Sequence, residues 1–388
     1  MWRPWKSRNQ DAKAEYEKAR EQLLERAPIP VLWLFGKTGS GKSSVVRYLT
    51  ESDDIEIGPG FRPQTKFSSM YSFPDEDDPI LKFLDTRGIG EAEYDPSEDI
   101  VAFDKVAHLM IVTIRAMDHA VDDVFRSLSI IRDAVPDRPV LLVLTALHDA
   151  YPGEQHPEVD PFSDDRTPLP SNLNPELQRS LELHYKRFDG LFDRAVPIDL
   201  TPPHEGFHEP NFGGERLKKA ILDSLPAAYR QNILQMNELL EPVTTLAKER
   251  TMPTILGSSS LAATAAAVPF PWVDIPVVLG IQTHLVYKLA SMHNIPIDAA
   301  TIAQVSGVMG GRVAVTMGIR AGLKFIPWVG MAANSAAAFA FTFATGMAWN
   351  WYFTSVAQGH VPQESELKEV FQSQVKRASQ VWRTSQSE

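Results

Sequence analysis

Residues 30–43 read Pro30-Val31-Leu32-Trp33-Leu34-Phe35-Gly36-Lys37-Thr38-Gly39-Ser40-Gly41-Lys42-Ser43. The first six form a short apolar run suited to a buried strand, and Lys42 to Thr50 has a helix-like pattern. The eight residues from Gly36 to Ser43 match G-x-x-x-x-G-K-[ST] in the strand–turn–helix context that this motif requires. The chemistry explains the residue types. Gly36, Gly39 and Gly41, with Lys37, Thr38 and Ser40 between them, let backbone N–H groups turn inward around phosphate oxygens, and the helix N-terminus adds its positive end. Lys42 reaches the β- and γ-phosphates, Ser43 ligates Mg²⁺, and Ser44 completes the set.

Outward from this loop, strands and helices alternate. Further strands are expected at 67–73, 80–84, 109–114, 140–144 and 196–200, and helices at 96–106, 120–134, 175–192 and 214–225. Such alternation means an α/β fold with a mostly parallel sheet covered on both faces. Between Asp149 and Pro175 six prolines and many acids mark a surface insertion.

The second signal is Ile80-Leu81-Lys82-Phe83-Leu84-Asp85-Thr86-Arg87-Gly88, an apolar strand ending in D-x-x-G. This is the place where GTPases position Mg²⁺ through water with the Asp, here Asp85, and bind the γ-phosphate with the Gly backbone N–H, here Gly88. Thr86 and Arg87 stand where multi-domain ATPases carry Asp-Glu. In the loop Gly60–Lys66, Thr65 is the residue suited to a first switch, with a hydroxyl for Mg²⁺ and an N–H for the γ-phosphate.

The set GKTGSGKSS, Thr65, DTRG and Asp149 resembles the translation-factor-related P-loop GTPases, in particular bacterial Era-like G domains joined to a C-terminal apolar helical domain of unknown function. The motifs cover residues 28–225; the rest is matched by composition and order only. The resemblance implies that Lys42, Ser43, Thr65 and Asp85 bind nucleotide and Mg²⁺, with GTP or GDP as ligand. Where the family carries N/T-K-x-D for guanine, this chain has Thr145-Ala146-Leu147-His148-Asp149. Asp149 can accept from guanine N1–H and N2–H₂, with Thr145 and His148 beside it, but Ala146 and Leu147 replace the usual Asn and Lys. The base-capping segment would be Asp199-Leu200-Thr201, without the usual Ser-Ala-Lys. An ATPase therefore stays open as an alternative.

Ile89 follows Gly88 where Ras-like enzymes use a water-orienting glutamine, so slow turnover is expected. A poorly hydrolysing scaffold is the other alternative. Enzymes of this kind often use a partner, K⁺ or G-domain dimerisation, and Arg87, Lys37 or Arg62 could add a charge. The pattern His204-Glu205-Gly206-Phe207-His208 matches H-E-x-x-H, yet Pro202, Pro203, Gly206 and Pro210 argue for a loop rather than the helix a zinc site needs.

Composition bounds the rest. With no cysteine among 388 residues, disulfides, thiolate zinc sites and cysteine nucleophiles are excluded. A net charge of −11 argues against nucleic-acid binding. Met1–Gln10 is polar and Ala12–Arg26 charged, unlike a secretory signal, which implies a cytoplasmic start. Between 251 and 363 only Asp274, Lys288, Asp298, Arg312, Arg320 and Lys324 are charged, so a boundary falls near 225–250. The division expected is an N-terminal helix at 1–27, a G domain at 28–226 and an all-α domain at 227–388. Residues 325–349 are uncharged and long enough to span a ~30 Å hydrocarbon core. Their Ala, Gly and Ser equally suit a close-packed bundle, and Trp328, Trp349, Trp351 and Tyr352 flank the run as interfacial aromatics would. The inner face of the plasma membrane and a protein effector are both open as partners of this domain. Helices are also expected at 271–292, 299–324 and 364–383.

Overall fold

The computed structural model describes residues 27, 29–50, 62–63, 68–86, 89, 96–103, 105–151, 153, 155–157, 160–162, 173–226, 229, 246–267, 274–295, 330–360 and 362–387. The chain divides into two compact units, the first spanning Ile29–Arg230. Thr65, Arg87, Gly88, the expected helix at 1–27, and the one at 299–324 lie outside the described residues.

The first unit is built on seven strands: β1 (Val31–Phe35), β2 (Arg62–Pro63), β3 (Ser68–Phe73), β4 (Leu81–Thr86), β5 (Leu109–Arg115), β6 (Val140–Thr145) and β7 (Arg194–Pro197), in the order β2-β3-β4-β1-β5-β6-β7. Strands β4, β1, β5, β6 and β7 run parallel, while β3 is antiparallel to β4 and to β2. The helices are α1 (Lys42–Thr50), α2 (Pro96–Phe103), α3 (Asp122–Ala134), α4 (Pro175–Arg187) and α5 (Gly214–Ser224). The largely apolar β1, β5 and β6 lie in the middle because their side chains, the exposed Arg115 apart, are buried on both faces. Val31, Trp33 and Phe35 join the core that contains Phe103 of α2, Leu128 of α3 and Leu181 of α4. Leu32 and Leu34, equally buried, point to the other face by the two-residue period of a strand. Helices α1 and α5 meet where the Tyr48 hydroxyl donates to Glu215 at 2.7 Å.

Local chemistry sets the helix ends. Asn174 caps α4 by accepting from the Glu176 N–H at 2.8 Å, with Pro175 in the first turn. That helix stops at Arg187, not Phe192, and Gly190 adopts φ +78° beyond it. Helix α2 stops at Phe103, not Val106, and the buried Arg138 guanidinium satisfies the carbonyls of Phe103 and Ala107 at 3.0 and 3.2 Å. The strand expected at 196–200 instead covers 194–197, since Asp199 leaves the β6 ladder to bond Phe212.

The second unit is helical: α6 (Leu246–Ala267), α7 (Asp274–Met292), α8 (Gly330–Ala357) and α9 (Glu364–Ser387). Helix α8 packs on the other three. A Cβ at Gly346 would lie 2.8 Å from Ile255 and 3.1 Å from Leu285, so this glycine permits the close approach of α8 to α6 and α7. Trp349 is fully buried against Phe353. Two polar pairs link these helices: His293 bonds Asn350 at 2.8 Å and Gln282 donates to Thr342 at 3.1 Å. Among the described residues no helix is long and apolar enough to cross a membrane.

Candidate functional site

The loop from Gly36 to Ser43 leaves the centre of the sheet, at the carboxyl end of β1, where β4 lies on one side and β5 on the other. Crevices in open α/β sheets form at such a point. Gly36, Gly39 and Gly41 all have positive φ, +152°, +76° and +98°. A Cβ on Gly36 would lie 2.4 Å from the Thr113 carbonyl oxygen, and one on Gly41 would lie 3.0 Å from the Thr145 methyl. The loop is therefore pressed onto β5 and β6, with backbone in place of side chains.

Hydrogen bonds hold it there. The Ser40 and Thr113 hydroxyls are 2.6 Å apart, and the Thr145 hydroxyl donates to the Ser40 carbonyl at 2.8 Å. Lys42 folds over the loop, its ammonium donating to the carbonyls of Gly36 at 2.5 Å and Lys37 at 3.0 Å. Thr38, Gly39 and Ser43 are exposed along its outer side. Lys37 does not offer a spare charge: it pairs with Asp118 at 3.2 Å and donates to the Ala120 carbonyl, both beyond β5. Burial pushes the Asp118 carboxyl up, but the Ala120 N–H and the Lys37 ammonium outweigh it and hold the group below the usual carboxylate range.

Asp85 lies next to the loop through register, opposite Leu34 of β1 and Ser69 of β3. Thr86 is buried and anchors this end of β4: its hydroxyl accepts from Trp33 Nε1 at 2.8 Å, meets Ser68 at 3.0 Å and donates to Asp99 at 3.3 Å. Ile89 is buried in the core beside it. A glycine loop at the N-terminus of α1, next to Lys42, fits a polyphosphate, and the oxygens of Ser43 and Asp85 suit a hard cation such as Mg²⁺.

Next to the loop opens a cavity of about 300 Å³ that Gly39, Gly41, Thr145, His148, Asp199 and Thr201 help to line. It brings together two segments distant in sequence. After β6, Ala146 turns the chain with φ +53°, and Leu147–Ala150 form a short 3₁₀ turn. Asp199 accepts from the His148 N–H at 2.8 Å and from its ring Nδ1 at 2.8 Å, tying the turn to the segment after β7. This hydrogen bond, against an opposing effect of burial, raises the His148 pKa above its ordinary value. Both Asp149 oxygens are held by Arg115 from the end of β5. Arg47 of α1 donates to the Leu200 carbonyl at 3.1 Å, bracing the opposite wall.

The structure thus gathers the Gly36–Ser44 loop, Asp85, Thr145, His148 and Asp149 around one end of the sheet. Arg115 and Arg47 are the site residues that motif reading missed. For Arg115 the available signal was a charged residue ending an apolar strand, at the edge where ligands of α/β sheets bind. In the H-E-x-x-H segment the 3₁₀ turn Pro203–Glu205 ends at Gly206 with φ +80°, so no helix aligns the two histidines.

A phosphate loop at the carboxyl edge of a mostly parallel, helix-covered sheet, followed by an all-α unit, defines a P-loop NTPase fold of the G-domain type. No protein-family model matches the chain, and no curated protein does. Three solved structures have similar folds. A GTP-binding protein from Sulfolobus solfataricus in complex with GDP is 16% identical, with a TM-score of 0.30, and covers 55% of this chain; the chain spans 57% of that protein's length. LeoA, a bacterial dynamin GTPase from ETEC, is 13% identical over 96% of this chain and 90% of its own, with a TM-score of 0.35. Toc33 from Arabidopsis thaliana, in complex with GDP and Mg²⁺, is 19% identical over 49% of this chain and 77% of its own, with a TM-score of 0.27. The fold class rests on the strand order and the loop geometry.

Proposed function

We propose that this chain binds GTP and GDP and hydrolyses GTP slowly, with Mg²⁺, as a conformational switch. The observation that carries the reading is the cavity beside the Gly36–Ser43 loop, walled by Thr145, Ala146 and His148 on one side and Asp199–Thr201 on the other, with Asp149 next to His148 in the same turn. Phosphates at the loop would be held by its backbone N–H groups and by Lys42, which exchanges its loop carbonyls for phosphate oxygens. Ser43 and Asp85 would hold Mg²⁺, whose charge offsets that developing on the phosphates. Asp149 would read the guanine edge. The buried Ile89 offers no group to orient an attacking water, which supports slow turnover.

Thr65 is proposed as the switch hydroxyl and Arg87 as an added charge. The helical unit is proposed to report the nucleotide state to a membrane surface or protein partner, with K⁺ or pairing of G domains completing the site. Calorimetry on the intact chain with Mg²⁺ tests the central reading: GTP and GDP bind more tightly than ATP, and Asp149→Ala removes the preference. Equal or tighter ATP binding would sink it.

A further inference from the structure

At the edge of the cavity, where Arg115 is part of the lining, lies an ion pair that a guanine would have to disturb. Arg115 ends β5, and Asp149 lies in the turn after the neighbouring strand β6. Arg115 Nε donates to Asp149 Oδ2 at 3.1 Å, while Nη2 lies 2.6 Å from Oδ2 and 2.8 Å from Oδ1. A carboxylate offers about four lone-pair positions, two on each oxygen. Three are taken, and both positions on Oδ2 are among them. Oδ1 keeps one, with His148 Nε2 nearby at 3.5 Å.

Guanine presents two parallel donors, N1–H and N2–H₂, and needs one position on each oxygen. One donor fits beside Arg115; two do not. We infer that Arg115 competes with the guanine edge for Asp149, so that the empty site is self-capped and guanine enters only as the guanidinium withdraws. The inference rests on the guanine reading above and adds to it a residue that tunes base selectivity.

Withdrawal is cheap, since the Arg115 side chain is 44% exposed and that of Asp149 28%, which leaves water free to take over the released guanidinium. An exposed pair of this kind is worth at most about fivefold in an equilibrium. Hypoxanthine, which lacks the 2-amino group, presents only the N1–H donor and fits with Arg115 in place. The competition therefore has a signature beyond affinity: it compresses the discrimination between GDP and IDP.

The experiment is calorimetry of the intact chain with GDP, IDP and inorganic pyrophosphate, in wild type, Arg115→Leu and Arg115→Lys. In Arg115→Leu, GDP affinity rises about fivefold while IDP and pyrophosphate stay within about twofold of wild type. Arg115→Lys keeps the charge without the fork, frees a position on Oδ2, and also raises the GDP-to-IDP ratio. It decides the matter should the leucine variant fold poorly. A fall in GDP affinity, or an equal rise for GDP and IDP, overturns the competition and makes Arg115 a support for Asp149. The guanine reading fails separately if Asp149→Ala binds GDP as tightly as wild type does.

Discussion

Replacing Gly36 by alanine tests whether the phosphate loop owes its position to backbone pressed on backbone. The added Cβ would lie 2.4 Å from the Thr113 carbonyl oxygen, 2.5 Å from its hydroxyl and 2.6 Å from the Ser40 hydroxyl. Thr113 cannot step aside cheaply: it is fully buried in the middle of β5 and paired with Val143 of β6. Overpacking of this kind costs about 1–3 kcal/mol. Forcing a side chain into positive φ adds about 1–2 kcal/mol, so the sum is about 2–5 kcal/mol. Gly39→Ala is the internal control. It shares the positive φ, +76°, but its Cβ would meet nothing within 4 Å, so only the backbone term applies. Scanning calorimetry of the intact chain reads the difference, with the first unit's transition recognised by its shift on adding pyrophosphate. For a unit of this size the full cost lowers the melting temperature by roughly 5–15 °C for Gly36→Ala. Equal melting temperatures for the two variants would refute the account of a loop seated by close approach.

Three further outcomes follow from the same contacts. The Asp199 hydrogen bond raises the His148 pKa, so its stabilisation is complete below the ordinary histidine value and is lost as pH rises through the raised one. The gap in urea midpoint between wild type and His148→Gln should therefore narrow as the pH rises above about 6.5, and a gap that widens would contradict the assignment. Ile89→Gln, which restores the residue type used by Ras-like enzymes, should fail to speed phosphate release. It should also cost about 1–3 kcal/mol in chemical unfolding, because residue 89 is buried among apolar side chains. In the helical unit, Gly346→Val should cost about 1–3 kcal/mol by wedging α8 away from Ile255 and Leu285, read as a lowered thermal midpoint by circular dichroism.

The legible part of the fold was the part governed by local pattern. Strand β1 and helix α1 run where the sequence places them, since a continuous apolar run has only the buried centre of a sheet to occupy and the glycines must turn between them. Long-range contacts decided what the pattern could not. Ile198 and Leu200 are as apolar and buried as strand residues, yet the chain leaves the ladder there because Asp199 bonds His148 and Phe212. Trp349 flanks an uncharged run, where composition does not distinguish lipid from the inside of a bundle; the structure buries its ring against Phe353.

The site was half legible for a related reason. The phosphate loop announces itself because its chemistry is carried by consecutive residues, whereas β5 carries no motif and still organises the site. Thr113 meets Ser40, Arg115 holds Asp149, and Asp118 holds Lys37, so three positions near one strand's end grip both the phosphate loop and the base turn. Thr145 closes the circuit, donating from the head of the base turn to the loop's Ser40 carbonyl. These contacts cross 34 to 105 residues of sequence, which spacing rules cannot register. Mechanically, the Thr145–Asp149 turn and the Gly36–Ser44 loop share one support, the carboxyl end of β5, which grips both through side chains and not through any recognised motif.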